Sequence, residues 1–417
     1  MAMMKNSTAE WLGDIPVDWS VSQIGNYYEL RNEKVSDVDF APLSVTMKGI
    51  VPQLATAAKS DDHNNRKLVR KGDFAINSRS DRRGSCGISK YDGSVSLINT
   101  ILTPRGKMEP RYYDWLFHTE QFADEFYKWG HGIVDDLWTT RWQEMKKILI
   151  VSPPLSEQQV IADYLDEKCS KIDDIIAESK ASIEEYKELK QAVISEAVTK
   201  GLDKNVEMKD SGLEWIGKIP KNWSTIKIGN IFTLRKERNS LPEEKVQLLS
   251  LYTSIGVFPQ GEHVTASGNH AQTVDGYKVV HKNDIVVNII LAWMGAIGVS
   301  DYDGVTSPAY DVYIPDLTKV VPRYFHYVFR TSGIAGECYK YGRGIMMMRW
   351  RTYSQEFKQI KVPFPSPQKQ KEIAAYLDKK VTELDSLIAE KESLIKDLES
   401  YKKSLIYEVV TGKRRVV

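Results

Sequence analysis

Cysteine is scarce in this chain: three thiols in 417 residues, at the widely separated positions Cys86, Cys169 and Cys338. Such spacing makes neither a disulfide framework nor a metal cluster. A reducing cytoplasm is therefore expected, and zinc is not. No apolar run follows Met1, so secretion is not expected. The longest mostly apolar stretch, Ile285 to Val299, is interrupted by Asn288 and falls short of the roughly 18 to 20 residues of a spanning helix; it reads as buried strand. An excess of either charge is missing as well. The formal net charge of +1 weighs against a free-standing DNA binder, although charge can be sorted within the chain. Basic residues concentrate at 66–71 (Arg66, Lys67, Arg70, Lys71) and 79–83 (Arg79, Arg82, Arg83).

Catalytic motifs are missing too. No Gly-x-x-x-x-Gly-Lys-Ser/Thr phosphate loop occurs, which excludes ATP-driven translocation by this chain. An amino-methyltransferase needs an Asn/Asp-Pro-Pro-aromatic loop for the flipped base. The nearest string, Ser152-Pro153-Pro154-Leu155, lacks the polar head and the aromatic, and reads as a rigid stop before a helix. Glu243-Glu244-Lys245 as a nuclease site and Asp61-Asp62-His63 as a metal site both read better as solvated loops.

What is present is a repeat. Glu10-Trp11-Leu12-Gly13-Asp14-Ile15-Pro16 with Trp19 returns as Glu214-Trp215-Ile216-Gly217-Lys218-Ile219-Pro220 with Trp223, an offset of 204 (215 − 11). Pro110-Arg111-Tyr112 returns as Pro322-Arg323-Tyr324, an offset of 212 (322 − 110). Two similar units in one polypeptide form a pseudo-dimer, and a two-fold reader implies a two-part target. Hydrophobic content of 42% and charged content of 27% fit a soluble chain of two or three domains.

Each half ends in a helix with a heptad seam. Leu165, Cys169, Ile172, Ile176, Ile183, Tyr186, Val193 and Ala197 mark the first, and Leu377, Val381, Leu384, Ile388, Ile395, Leu398, Leu405 and Val409 the second. Polar residues interrupt both seams at matched places, Ser179 with Lys391 and Lys190 with Lys402, where they fix register. About 40 residues of helix span roughly 60 Å. Gly201 and Gly412 mark the helix ends. An antiparallel pair with one domain at each end is expected; the alternative is a pair of independent helices that dimerise between chains.

The globular parts predict an α+β fold. Strands are expected at 67–69 and 73–77, and again at 278–280 and 284–288. Hairpin-like turns are expected at Tyr91-Asp92-Gly93 and Tyr302-Asp303-Gly304, and helices at about 111–128 and 323–340. The Gly-rich loops Lys128-Trp129-Gly130-His131-Gly132-Ile133 and Lys340-Tyr341-Gly342-Arg343-Gly344-Ile345 read as phosphate cradles or as tight turns. The boundaries that follow are a first globular domain at 1–154, a helix at 155–200, a linker at 201–213, a second globular domain at 214–366, a helix at 367–412 and a basic tail at 413–417.

Three segments together resemble the specificity subunit of type I restriction-modification enzymes. They are Asp210-Ser211-Gly212-Leu213-Glu214-Trp215 through Pro220 with Trp223; Pro153-Pro154-Leu155-Ser156-Glu157-Gln158-Gln159 with Ile161-Ala162 and Leu165-Asp166; and Pro365-Ser366-Pro367 with Gln370 and Ile373 to Asp378. The resemblance implies a non-catalytic DNA reader. In it, two target-recognition domains bind the halves of an asymmetric bipartite site, and the helix pair sets their spacing. Two modification subunits dock to methylate adenine, and restriction subunits add a motor and nuclease. S-adenosylmethionine, ATP and magnesium then belong to the partners, with no cofactor in this chain. A coiled-coil scaffold or orphan subunit that does not bind DNA is the alternative.

Base reading is expected where the halves differ. Aligning Asn77 with Asn288 sets Arg79, Arg82 and Arg83 against Ile290, Trp293 and Met294. Arginine can take guanine O6 and N7 or phosphate, whereas Trp and Met stack, touch methyl groups or pack. Val134-Asp135-Asp136-Leu137 faces Met346-Met347-Met348-Arg349. The candidate DNA contacts are Lys48, Asn77, Arg79, Arg82, Arg83 and Arg141 in the first half, and Tyr252, Asn288, Trp293, Arg343, Arg349 and Arg351 in the second.

Overall fold

The structure is a computed structural model and describes residues 3–55, 63–79, 82–133, 138–253, 255–261, 274–344 and 350–416. Its helices are α1 (Pro110–Phe117), α2 (Glu120–Lys128), α3 (Trp142–Met145), α4 (Leu155–Lys200), α5 (Pro322–Val328), α6 (Ser332–Tyr341), α7 (Ser354–Phe357) and α8 (Pro367–Val410). No helix among the described residues is long and apolar enough to cross a membrane. Contacts divide the chain into two compact units, Met1–Lys180 with Glu392–Val417, and Ala181–Lys391.

In the first unit an antiparallel sheet runs Cys86–Ile88, Phe74–Asn77, Asn99–Pro104, Tyr28–Arg31. A second sheet joins Gly93–Val95, Arg66–Val69 and Lys34–Val35. The pair Ser20–Gln23 and Leu149–Ser152 closes the domain beside α4. Apolar residues of the first sheet meet α1 and α2. Phe74 and Phe117 lie 4.9 Å apart between ring centres, and Phe117 and Phe122 4.6 Å; such pairs add about 0.5–1.5 kcal/mol each beyond burial.

The second unit repeats this plan. Its sheet runs Phe232–Leu234, Tyr310–Pro315, Ile285–Asn288, Ile297–Val299, and Ser224–Lys227 pairs with Lys361–Phe364. Bidentate ion pairs recur at equivalent places: Arg31 on Asp73 at 2.6 and 3.1 Å, and Arg235 on Asp284 at 2.8 and 3.0 Å.

The long helices are shared between the units. In the first, Leu165, Cys169, Ile172 and Ile176 of α4 join a core with Ile395, Leu398, Leu405 and Val409 of α8. In the second, Val193 and Ala197 of α4 join Leu377 and Val381 of α8. Within each unit the helix portions run antiparallel and belong to one chain. Lys402 and Lys190, the polar seam residues, reach across to Asp173 and Asp385, each at 2.6 Å. The compact units are therefore not the sequence repeats: the second half of α8 belongs with the first domain and the second half of α4 with the second.

Three expectations change. The Asp-Gly turns are not hairpins, because Cys86–Ile88 and Gly93–Val95 pair with strands of different sheets. Glycine is required at Gly93 and Gly304 for close approach, since a Cβ there would strike the carbonyls of Ala41 and Gln247. Each expected single helix is two: Thr119 and Thr331 break the run and cap α2 and α6 by accepting from the amides of Phe122 and Ile334. The Gly-rich loops use Gly130 and Gly342 to admit an indole, because a Cβ there would meet Nε1 of Trp138 and Trp350. That favours the turn over the phosphate cradle.

Candidate nucleic-acid interface

In both units the same bonds hold the end of the second sheet strand next to a short bridge. Asn77 Oδ1 accepts from the Arg79 amide at 3.0 Å, and Asn288 Oδ1 from the Ile290 amide at 3.0 Å. The Thr140 amide donates to Ser78 and the Thr352 amide to Ile289, at 3.0 and 2.9 Å. Trp138 stacks on Tyr127 at 5.6 Å and Trp350 on Tyr339 at 5.1 Å, each indole donating to the backbone carbonyl of its tyrosine. A constant frame thus carries side chains of different chemistry.

On that frame the first unit presents arginine. Arg79, Arg82 and Arg83 are exposed. Arg83 pairs with Asp124 and lies over the Tyr127 ring at 5.1 Å, and Arg79 forms a backbone bridge to Thr139. Arg141 is exposed just beyond, at the start of α3. Lys48 is exposed at the turn of the hairpin Leu43–Thr46/Gly49–Pro52.

In the second unit Arg343 and Arg351 face one another through paired backbone bonds of 3.0 Å. Arg343 holds Glu356 at 2.9 Å and lies over Tyr353. Tyr252 ends the strand Leu249–Tyr252 of the matching hairpin and is half-buried. Arg349 and the segments 134–137 and 346–348 lie outside the described residues, as do Asp61 and Asp62.

The side chains of Asn77 and Asn288 are buried and committed to their own loops. Neither faces outward as a base reader would. Trp293 is half-buried, donates to Ile290 at 3.0 Å and meets Tyr339 edge-on, so it packs. The basic stretch 66–71 is partly turned inward: Arg66 is buried on Ser94 at 2.8 and 3.0 Å, and Lys67 donates to the Asn99 carbonyl at 2.6 Å. Burial lowers the pKa of both. No group of His, Cys, Asp and Glu among the described residues could hold a metal. His63 instead contacts Asp37 at 2.8 Å, and Glu243-Glu244-Lys245 is an exposed 3-10 turn.

Differences outside the loops escaped the loop comparison. His326 and Arg330 stand where the first unit has Asp114 and His118, and their Arg330 Nε to His326 Nε2 bond is 3.0 Å. Aligning α1 with α5 residue by residue reveals them.

Residues 220–397 match the DNA specificity domain of type I restriction modification. Two specificity subunits of Methanocaldococcus jannaschii are similar. The MjaX subunit is 24% identical over 52% of this chain and 54% of its own length, and the MjaVIII subunit 25% identical over 53% and 51%. Over these stretches the chain is similar to type I restriction-modification specificity subunits. The alignments span about half the length of these curated relatives. In fold, a chain from a study of complex assembly and conformational transition in the type I system superposes with a TM-score of 0.70 at 12% identity, over 96% of this chain and 99% of that one. The specificity subunit of Thermoanaerobacter tengcongensis gives 0.54 at 14%, over 96% and 98%.

Proposed function

We propose that this chain is the non-catalytic DNA reader of a cytoplasmic type I system. Each unit takes one half of an asymmetric bipartite site, and partner subunits methylate or cut. One observation carries this reading: the two units hold the same frame with the same bonds and fill it differently, Arg79, Arg82 and Arg83 against Ile290, Trp293 and Met294. A repeated scaffold with divergent contact loops suits two different half-sites. Half-sites one turn apart lie about 34 Å centre to centre, within the reach of helices this long, which supports α4 and α8 as the spacer.

Two modification subunits are the expected partners, with S-adenosylmethionine, ATP and magnesium held by partner chains. The helices carry apolar side chains outside the buried seam. Ile175, Leu394 and Tyr401 are exposed in the first unit, and Leu189, Tyr376 and Leu387 in the second. Surfaces of this kind suit helical partners.

The test is to exchange residues 21–150 for the matching domain of a relative, co-express the modification subunit and sequence the methylome. One half of the methylated motif should change and the other persist. A change in both halves, or in neither, would overturn the assignment. Gel shifts with modification subunits present separate a DNA reader from a bare scaffold.

A further inference from the structure

Beneath the arginine loop of the first unit lies a pocket of about 20 Å³. That is room for one group the size of a water or a methyl. Five aromatic side chains wall it, Phe117, Phe122, Phe126, Tyr127 and Trp138, and the exposed Arg79 and Arg83 complete its lining on the loop side. The three phenylalanines belong to the core of the unit. The polar groups along the walls are already bonded. Asn77 Oδ1 accepts from the Arg79 amide at 3.0 Å, and the Ser78 hydroxyl pairs with that of Thr100 at 2.8 Å. Thr140 donates to the Phe126 carbonyl at 2.7 Å and Trp138 to the Tyr127 carbonyl at 2.9 Å. Arg83 is held by Asp124 and by the Tyr127 ring. An ordered water needs about two to four polar partners, so these walls favour an apolar occupant.

The second unit shows what this place accepts. Counted from the matched asparagines, Trp293 holds the position of Arg82 (288 − 77 and 293 − 82, both 211). There Ala292 is fully buried, and the Trp293 indole packs on the core and meets Tyr339, the counterpart of Tyr127 (339 − 127 = 212), at 6.1 Å between ring centres. The loop of the second unit thus brings its own apolar group to the aromatic wall. In the first unit Arg82 has no such group to bring, and the pocket stays open.

We propose that the pocket of the first unit takes the C5 methyl of a thymine, which places a T·A pair at one fixed position of the half-site that this unit reads. The inference rests on the first unit being a DNA reader. On the base edges of the major groove the thymine methyl is the apolar group, and every other feature is a hydrogen-bond donor or acceptor. An apolar pocket of methyl size under a basic loop therefore matches one chemical feature of unmodified DNA, while Arg79 and Arg83 beside it meet neighbouring bases or phosphates.

The experiment uses the full chain with its modification subunits. Exchange of residues 21–150 and methylome sequencing first identify the half of the motif that the first unit reads. Each thymine of that half is then replaced by uracil, which lacks only the methyl, and binding of the duplexes is measured by fluorescence anisotropy. One position should lose about fourfold in affinity, the worth of one buried methyl. A 5-bromouracil there, with bromine in the place of the methyl, should restore it. Ala123 lines the pocket from α2, and Ala123→Leu fills it. That variant should bind the thymine and uracil duplexes alike while it still reads the other half-site, which reports that the chain is folded.

A half-site with no thymine in either strand, unchanged affinity for every uracil duplex, or full discrimination between thymine and uracil in Ala123→Leu would each overturn the pocket and leave the reader assignment standing. A domain exchange that alters neither half of the motif would overturn the reader assignment itself.

Discussion

The Tyr324 hydroxyl donates to the carbonyl of Val198 at 3.0 Å, and Tyr112 donates to Val410 at 2.7 Å. Each buried tyrosine satisfies a carbonyl that the last turn of a long helix cannot bond internally. In both cases the helix follows the other domain in sequence.

Replacing Tyr324 with Phe leaves the Val198 carbonyl buried and unbonded, which should cost about 1–3 kcal/mol. Tyr112→Phe should cost a similar amount through Val410. Urea unfolding of the two variants should show comparable losses with the methylated motif unchanged. A stability equal to the parent's would remove the capping role.

Changing Arg79, Arg82 and Arg83 together to alanine should damage one half-site only, since the matched positions of the second unit carry no base. Lost bidentate contacts to guanine would relax specificity at defined positions, at about 1–3 kcal/mol each. Phosphate contacts would instead lower affinity evenly and flatten the salt dependence. Relaxed reading in both halves of the motif would show the arginines to be misassigned.

Four residues inserted after Ile183 rotate and lengthen one seam against its partner, and a heptad repeat absorbs such a stutter only by local unwinding. The expected outcome is a longer spacer in the methylated motif or failure to assemble with modification subunits. Normal spacing at full activity would exclude the helix pair as a ruler.

Burial drives the pKa of His326 down to about 2, and the Arg330 and Arg323 cations push the same way. The folded value lies below the unfolded one of about 6.5, so below that pH the unfolded chain takes up a proton that the folded chain refuses. Stability should fall by up to about 1.4 kcal/mol for each pH unit below roughly 6.5. His326→Gln should lose that pH dependence. Thermal melts of both proteins between pH 4 and 8 decide it, and parallel curves would refute the assignment.

The three thiols are buried. Burial raises Cys169 to about 11 against the pull of Lys402, and raises Cys338 further with help from Glu337. Because the thiolate is the nucleophile, iodoacetamide at pH 8 should label none of them before denaturant is added. Mass spectrometry of the native protein tests this, and rapid alkylation of any one would show that its unit opens.

Periodicity made the long helices legible. Their seams recur in identical register 212 residues apart, interrupted at matched positions by Lys190 and Lys402, whose ion pairs with Asp385 and Asp173 only the structure shows. The strands at 66–69 and 74–77 were legible from β-branched and aromatic clustering. Strand partnership was not: Asp92-Gly93 carries the local chemistry of a hairpin, yet pairing is set by which sheet each flanking strand joins, a non-local choice. For the candidate contacts the sequence carries chemistry but not orientation. Comparing loops found the exposed arginines, but it could not tell Asn77 and Asn288, which bond their own backbone, from outward-facing amides. Nor could it see that Arg66 bends inward to Ser94.

The division of the chain also sets an order of synthesis. The second unit, Ala181–Lys391, is one unbroken stretch, whereas the first needs both Met1–Lys180 and Glu392–Val417. At roughly 5–20 residues per second the ribosome separates these pieces by tens of seconds. The domain made first is therefore the last to be completed, and until α8 emerges the apolar edge of its half of α4 stays uncovered. A nascent chain of this design presents a chaperone with its earliest domain for longest, and premature termination within α8 would strike the unit encoded at the opposite end of the gene.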